Sequence, residues 1–277
     1  FIFRGTLIFD SIDGELSPVY EAFDSCVYEY TRDALSIAGT KGGYIESPEF
    51  VPGSQHVPFS SQLNFVGLGI PYWYYVSGNN LIREQTPSKN EIESQISSYL
   101  ESQLISCDFS TFIDQGITII QGVPSVSVDI LENKVNVDVS MDLTAQKDDK
   151  NAIKSNHKVE VDSSFGKLYD LAIDIYNKEK TEAFLENYSL DVLYNYAPVT
   201  GSEISCSPLI WNPQEVSEEL KLGIEANIGA VKLKGSDNIN SEEEKYFVVD
   251  LESNENVRFI YSKDWPTRIE IWPSDNS

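Results

Sequence analysis

The sequence predicts an α+β protein in which antiparallel sheets, arranged as hairpins and a meander, pack with about four helices. Three observations predict this class. Apolar residues recur at helical spacing in four separate segments, and apolar and polar residues alternate cleanly between residues 126 and 143. The elements also come in runs of strands and runs of helices, which is not the strict alternation expected of a parallel sheet.

The first helix is predicted from Ser17 to Gly39. Ser17 is the expected N-cap, Pro18 suits the first helical position, and Gly39 is the expected stop. This helix places Cys26 on its apolar face, so packing alone accounts for that cysteine. The apolar residues at helical spacing are Val19, Phe23, Cys26, Val27, Tyr30, Ala34 and Ile37.

Residues 70–80, IPYWYYVSGNN, place four aromatic rings in consecutive positions after an irregular segment rich in Gly, Pro and Ser. In a strand, successive side chains point to opposite faces, so we expect core on one face and an interface or sugar platform on the other. Gly78, Asn79 and Asn80 supply a turn for a hairpin. The candidate residues are Tyr72 and Tyr74 on one face and Trp73 and Tyr75 on the other.

A second helix and the clearest strands follow. Ser88 and Glu91 form a capping box ahead of an apolar stripe that ends near Cys107. Glu132, Asn133 and Lys134 then form the turn of an antiparallel hairpin, and His157 is expected at a sheet face on the next strand. The strand positions are Ile117, Ile119, Val126, Val128, Ile130, Val135, Val137, Val139, Met141, Leu143, His157, Val159 and Val161.

The last third of the chain predicts further helices and a terminal sheet. A helical region runs from Leu168 to Tyr196 with a break near Tyr188 and Ser189, and a weaker helix runs from Pro213 to about Ile228. Strands at 246–251, 257–261 and 268–272 form the meander. The predicted organisation is an apolar segment at 1–16, a main domain at 17–231, and the meander at 246–277, packed on the main domain.

The formal net charge is −24, because 44 acidic residues face 20 Lys and Arg. Such a chain repels phosphate backbones and anionic headgroups, so nucleic acid is excluded as a partner. The acidic residues are spread along the chain, which indicates a solvated surface.

Three cysteines without C-x-x-C spacing, and only two histidines, argue against a zinc site. The odd number permits one disulfide with one free thiol, or three free thiols. We favour Cys26 with Cys107, because both lie on or beside helices of the N-terminal half, which leaves Cys206 alone. Asn187 begins an Asn-Tyr-Ser glycosylation sequon.

Known catalytic signatures are absent from the sequence. It has no G-x-S-x-G elbow, no phosphate loop and no calcium loop, so we expect no catalytic residues, no metal and no cofactor. A pair of carboxylates that meets in space leaves no such signature, so a glycosidase-type pair stays open.

The first nine residues are apolar apart from Arg4, Gly5 and Thr6, and are too few to span a bilayer. Since the first residue is Phe, we expect the chain to begin inside a longer precursor, with this segment as the end of a removed anchor or as a strand that needs a partner. The candidate assembly residues are Phe1, Ile2, Phe3, Leu7, Ile8 and Phe9.

Several short sequence motifs occur together: GGYI, IPYWYY, EIESQISSYLESQLISC followed by FSTFIDQGITIIQG, then FGKLYDLAIDIYN and CSPLIW. Over residues 1 to about 215 they resemble an uncharacterised group of surface proteins of small-genome archaea. The resemblance implies a pilin-like apolar segment before an external α+β domain, an external location and a structural or adhesive role. It supplies no catalytic positions.

We therefore expect an extracellular or cell-surface structural subunit, and not an enzyme. Its partners would be other copies of itself in a filament, tube or layer, with the apolar segment contacting a neighbouring subunit. One alternative is a membrane-tethered module that binds surface glycans or a partner cell through the aromatic strand. Another is an enzyme of unrecognised type.

Overall fold

The computed structural model describes residues 14–57, 59–196, 212–235, 246–263 and 265–274. The α+β class is confirmed, with helices beside several small antiparallel sheets. The chain forms two compact units that divide between Lys167 and Leu168. This division differs from the predicted one, which groups residues 17–231 in a single domain and sets 246–277 apart.

The helices and strands are numbered in chain order. The helices are α1 (Ser17–Thr40), α2 (Lys89–Gln103), α3 (Ser110–Asp114), α4 (Phe165–Glu182), α5 (Phe184–Tyr196) and α6 (Pro213–Asn227), with 3-10 turns at Leu104–Ser106 and Ile228–Ala230. The strands are β1 (Gln62–Phe65), β2 (Leu68–Pro71), β3 (Tyr74–Val76), β4 (Ile82–Glu84), β5 (Thr118–Gln121), β6 (Ser125–Ile130), β7 (Lys134–Lys147), β8 (Lys150–Asp162), β9 (Val231–Lys234), β10 (Phe247–Glu252), β11 (Asn256–Ser262) and β12 (Trp265–Trp272).

The first unit is organised around the long strand β7. β8 pairs antiparallel with β7 along one edge, while β5 and β6 divide the other edge between them. The predicted alternation is correct here, because the odd-numbered residues of β7 from Val135 to Ala145 are buried. α1 packs against β8 and α2 packs against β6, which closes the core of this unit.

Two boundaries of α1 differ from the prediction. Leu16 is the N-cap residue, and the hydroxyl of Ser17 instead donates to Glu21 Oε1 at 3.0 Å inside the helix. The helix also passes through Gly39 and ends at Thr40. By contrast, the predicted capping box of α2 is confirmed, with Ser88 and Glu91 bonding to each other's backbone amides.

The second unit differs from the prediction at two points. The break between α4 and α5 lies at Ala183, which has a positive φ of 51°, and not at Tyr188 and Ser189, which lie inside α5. β10 pairs in parallel with β9, and β11 pairs with β12 in a hairpin, so the described strands do not form the predicted three-strand meander. The buried core of this unit is formed by Ile175, Phe184, Tyr188, Val192, Ile224, Ile228, Val231, Leu233, Val249, Val257 and Phe259.

Candidate functional site

Two groups of predicted site residues lie outside the described residues. They are the assembly residues Phe1, Ile2, Phe3, Leu7, Ile8 and Phe9, together with Cys206. The sequon residue Asn187 is exposed on α5, where its Nδ2 donates to the carbonyl of Glu182 at 3.2 Å.

The aromatic row is not one strand, as predicted, because Tyr72 and Trp73 lie between β2 and β3 while Tyr74 and Tyr75 lie in β3. β2 ends at Pro71, but Tyr72 N still donates to Ser61 O at 3.0 Å and so continues the β1–β2 register. The chain then bends at Trp73 before β3 begins at Tyr74. Since the row crosses this break, the expected alternation of faces is lost. The hairpin that follows is confirmed, since β3 pairs with β4 across a turn in which Asn80 has a φ of 62°.

The four rings consequently have different environments. Trp73 is partly buried and its Nε1 donates to the carbonyl of Gly42 at 2.8 Å. Burial raises the pKa of Tyr72 to about 12. Tyr75 is half-buried, whereas Tyr74 is 47% exposed. Trp73 therefore ties this segment to Gly42, just after α1, and Tyr74 is the most exposed of the four rings.

Exposed apolar side chains cluster in the chain around these two hairpins. Val66, at the tip of the β1–β2 hairpin, is 93% exposed, and Ile82 at the start of β4 is 63% exposed. Exposed apolar surface of this kind is typical of interaction sites. The set within residues 50–82 is Phe50, Phe59, Val66, Tyr74, Leu81 and Ile82.

A disulfide joins Cys26 on α1 to Cys107, just after α2, which is the pairing that the sequence analysis favours. The two cysteines are separated by 81 positions in the chain. The bond therefore ties α1 to the far end of α2 and its 3-10 turn.

A buried charged cluster lies two residues from Cys26 and was missed in the sequence. Asp24 of α1 is 1% exposed and His157 of β8 is completely buried. Lys154 Nζ lies 3.1 Å from Asp24 Oδ2, and His157 Nδ1 lies 3.4 Å from Asp24 Oδ1. One carboxylate is thus approached by an amine on one oxygen and by an imidazole on the other.

A β-bulge brings Lys154 and His157 to the same face of the sheet. Residues three apart on a regular strand face opposite sides. Here Ser140 pairs with Asn156 but Leu143 pairs with Lys154, so Met141 and Asp142 together face Ser155 alone. This offset turns both side chains toward Asp24.

The same bulge determines which nitrogen of His157 carries a proton. His157 Nε2 lies 3.2 Å from the carbonyl oxygen of Met141, which can only accept a hydrogen bond. Nε2 is therefore the donor, and Nδ1 of a neutral ring presents a lone pair to Asp24. Phe23 packs edge-on against the imidazole, with ring centroids 4.6 Å apart, and fixes its orientation.

Asp24 Oδ1 and His157 Nδ1 are buried without a hydrogen-bond partner in the described part of the chain. Facing each other as an ionised carboxylate and a neutral imidazole, they would present two acceptors to one another. A proton shared between the two atoms would give each of them a hydrogen-bond partner. Buried polar atoms in this position are otherwise strongly destabilising.

The cluster is almost completely shielded from solvent. The side chains of Asp24, His157 and Lys154 are 2%, 0% and 12% exposed. Any chemistry here must therefore take place among the three side chains themselves.

Within the described ranges, no group of three or more His, Cys, Asp or Glu side chains is placed to hold a metal ion. None of the helices in the described segments is long and apolar enough to cross a membrane.

No family model, curated protein or solved structure matches this chain.

Proposed function

We propose that the protein is an extracellular structural subunit that self-assembles into a filament, tube or layer. In this proposal the apolar segment at residues 1–9 of one copy contacts the exposed apolar side chains on the β1–β2 and β3–β4 hairpins of the next. The exposed side chains of those hairpins carry the proposal, because contact with a neighbouring copy would remove the apolar surface of Val66, Tyr74 and Ile82 from water.

Two other features support an external location. The Cys26–Cys107 disulfide persists in an oxidising compartment and is rare in a reducing cytosol. The net charge of −24 keeps separate copies soluble until specific contacts form.

The proposal is tested by comparing two exposed valines. We expect Val66→Asp to abolish assembly of the purified full chain, as measured by light scattering with size-exclusion chromatography and by negative-stain imaging. Val123→Asp is the matched control, because Val123 is 88% exposed but lies in the β5–β6 turn and belongs to neither hairpin. Deletion of residues 1–9 should also leave a folded monomer.

Single particles at every concentration and salt tested would contradict the proposal. If Val66→Asp and Val123→Asp weaken assembly equally, the hairpins are not the contact surface.

A second candidate function is an adhesion module that binds glycans, and the exposure of Tyr74 favours it. Because Trp73 is partly buried and Tyr74 is 47% exposed, a sugar would stack on Tyr74. Glycan binding that Tyr74→Ala removes without changing the oligomeric state would favour this function over assembly.

A further inference from the structure

We propose that Lys154 and Asp24 condense spontaneously to an amide, so that the mature chain carries an intramolecular isopeptide bond between β8 and α1. The bond would join Lys154 Nζ to Asp24 Cγ and release one water molecule. His157, whose Nδ1 lies 3.4 Å from Asp24 Oδ1, would move the protons.

Proximity supports this bond. Lys154 Nζ is already in hydrogen-bond contact with Asp24 Oδ2 at 3.1 Å. The disulfide at Cys26, one half-turn along α1 from Asp24, and the strand pairing of β8 hold the two ends in place. Reactions between groups held this way reach effective concentrations of about 10⁵ M or more, because the entropy of association is already lost on folding.

The proton balance can be completed within the cluster. Transfer of a proton from the Lys154 ammonium to Asp24 gives a neutral amine and a carboxylic acid. If the proton is on Asp24 Oδ1, this hydroxyl can donate a hydrogen bond to the lone pair of His157 Nδ1. Both atoms, which otherwise lack a partner, are then hydrogen-bonded. The neutral carboxylic acid is the form of Asp24 that an amine can attack.

The bond changes follow in two steps. The Lys154 nitrogen attacks Asp24 Cγ and forms the new C–N bond, and His157 Nδ1 takes a proton from this nitrogen. His157 then returns that proton to the departing hydroxyl as the C–O bond breaks. The two protons lost by the ammonium leave with one carboxylate oxygen as water, so no oxidant or other reactant is needed.

Burial favours the product over the starting pair. The amide is neutral and replaces a carboxylate and an ammonium whose transfer from water into the protein is unfavourable. The three side chains are almost completely enclosed, so once the released water has left the site, bulk water has little access to hydrolyse the amide.

Intact mass spectrometry of the full chain, denatured and with its disulfide reduced, tests the proposal. We expect a mass one water below that of the sequence, and a branched peptide that contains both Asp24 and Lys154 after digestion. Chain that is recovered before it has ever folded should start at full mass and lose water as it folds. His157→Gln should slow that loss at least tenfold.

Two variants control for other sources of the mass change. Lys154→Arg keeps the positive charge beside Asp24 but cannot form the amide, so it should show the full mass. Lys154→Arg retains Asp13 and Gly14, so a water loss caused by ring closure at that site would still be seen in this variant, whereas a water loss caused by the amide would not. Asp24→Asn should form the same amide with loss of ammonia in place of water.

A full-mass wild-type chain that is folded by circular dichroism would overturn the proposal and leave Lys154 and Asp24 as an ion pair only. So would a water loss that persists in Lys154→Arg. Either result is independent of whether the chain assembles.

Discussion

Glu179 and Glu186 hydrogen-bond to each other at the elbow between α4 and α5. Burial and the neighbouring Glu186 carboxylate raise the pKa of Glu179 to about 7, although the backbone amide of Leu185 donates to it at 3.0 Å. Between about pH 4.5 and pH 7, this carboxyl group is therefore protonated in the folded chain but ionised in the unfolded chain. Its stabilising contribution is therefore present below about pH 4.5 and is lost as the pH rises through about 7.

We expect the second unit to become less stable as the pH rises from 5 to 8, as measured by hydrogen exchange of α4 and α5. Glu179→Gln keeps a neutral side chain that can donate to Glu186, so it should flatten this pH dependence. Glu182→Gln is the control, because Glu182 pairs with Lys178 on the exposed face of the same helix. An unchanged pH dependence in Glu179→Gln would show that another group is responsible.

Two glycines in the first unit differ in the space that they leave for an alanine side chain. A Cβ at Gly166 would lie 2.1 Å from the backbone oxygen of Leu131, which cannot move aside as a flexible side chain can. At Gly39, inside α1, the nearest heavy atom would be a Phe165 ring carbon at 3.9 Å. The first site is closed to any side chain, and the second is open.

We therefore expect Gly166→Ala to lower the free energy of unfolding by about 1–3 kcal/mol, as in other overpacked sites. Gly39→Ala should raise it by about 0.5–1 kcal/mol, because alanine restricts the unfolded chain and favours the helix. Denaturant unfolding measures both. Equal destabilisation by the two variants would mean that Gly39 is held more tightly than its surroundings indicate.

The charged cluster shows what single residues reveal in the sequence. His157 was expected at a sheet face because it alternates with Val159 and Val161, and the structure buries it there. Asp24 gave a usable signal, since it falls on the buried face of α1 between Tyr20 and Val27. Lys154 gave no such signal, because it lies three residues from His157, and residues three apart on a regular strand point to opposite faces of the sheet.

Two glutamates of α2 cap the free edge of strand β6. Glu101 Oε1 accepts from the backbone N–H of Val126 at 3.0 Å, and Glu93 Oε1 accepts from that of Ile130 at 2.9 Å. β7 is the strand neighbour of β6 in the described sheets, so the helix covers the other edge. An uncovered edge is a template for pairing with another chain.

We expect Glu93→Ala and Glu101→Ala each to destabilise the first unit by about 1–3 kcal/mol, because each removes a hydrogen bond from an amide to a charged group. Exchange of the Val126 and Ile130 amides should become faster, and light scattering should show association on warming. Glu93→Gln retains an acceptor oxygen and should behave more like the wild type. Unchanged exchange at Ile130 in Glu93→Ala would contradict the capping role.

Elements with a strong local pattern were predictable, and elements that depend on pairing were not. The period of two in β7 and the capping box of α2 are written in consecutive residues, and both are present. The bulge opposite Ser155 and the parallel pairing of β10 with β9 depend on which strands meet, and that information is not local. The break in the aromatic row lies at Tyr72 and Trp73, after Pro71, which still pairs with Gln62 in the β1–β2 hairpin.

At the scale of the whole molecule, the disulfide lies within one compact unit. Cys26 and Cys107 both belong to the unit that ends at Lys167, so the cross-link restricts the unfolded chain of that unit alone. The entropy of closing a loop of 81 residues corresponds to about 4 kcal/mol of stabilisation if the native geometry is unstrained.

We expect reduction, or a Cys26→Ser and Cys107→Ser double variant, to lower the stability of the first unit by up to about 4 kcal/mol. Hydrogen exchange followed by mass spectrometry separates the units: peptides from β7 and β8 should exchange faster, while peptides from α5 and α6 should not change. Equal acceleration in both units would mean that they unfold as one cooperative body. If the Lys154–Asp24 amide forms, it also ties α1 within this unit, so reduction should destabilise Lys154→Arg more than the wild type.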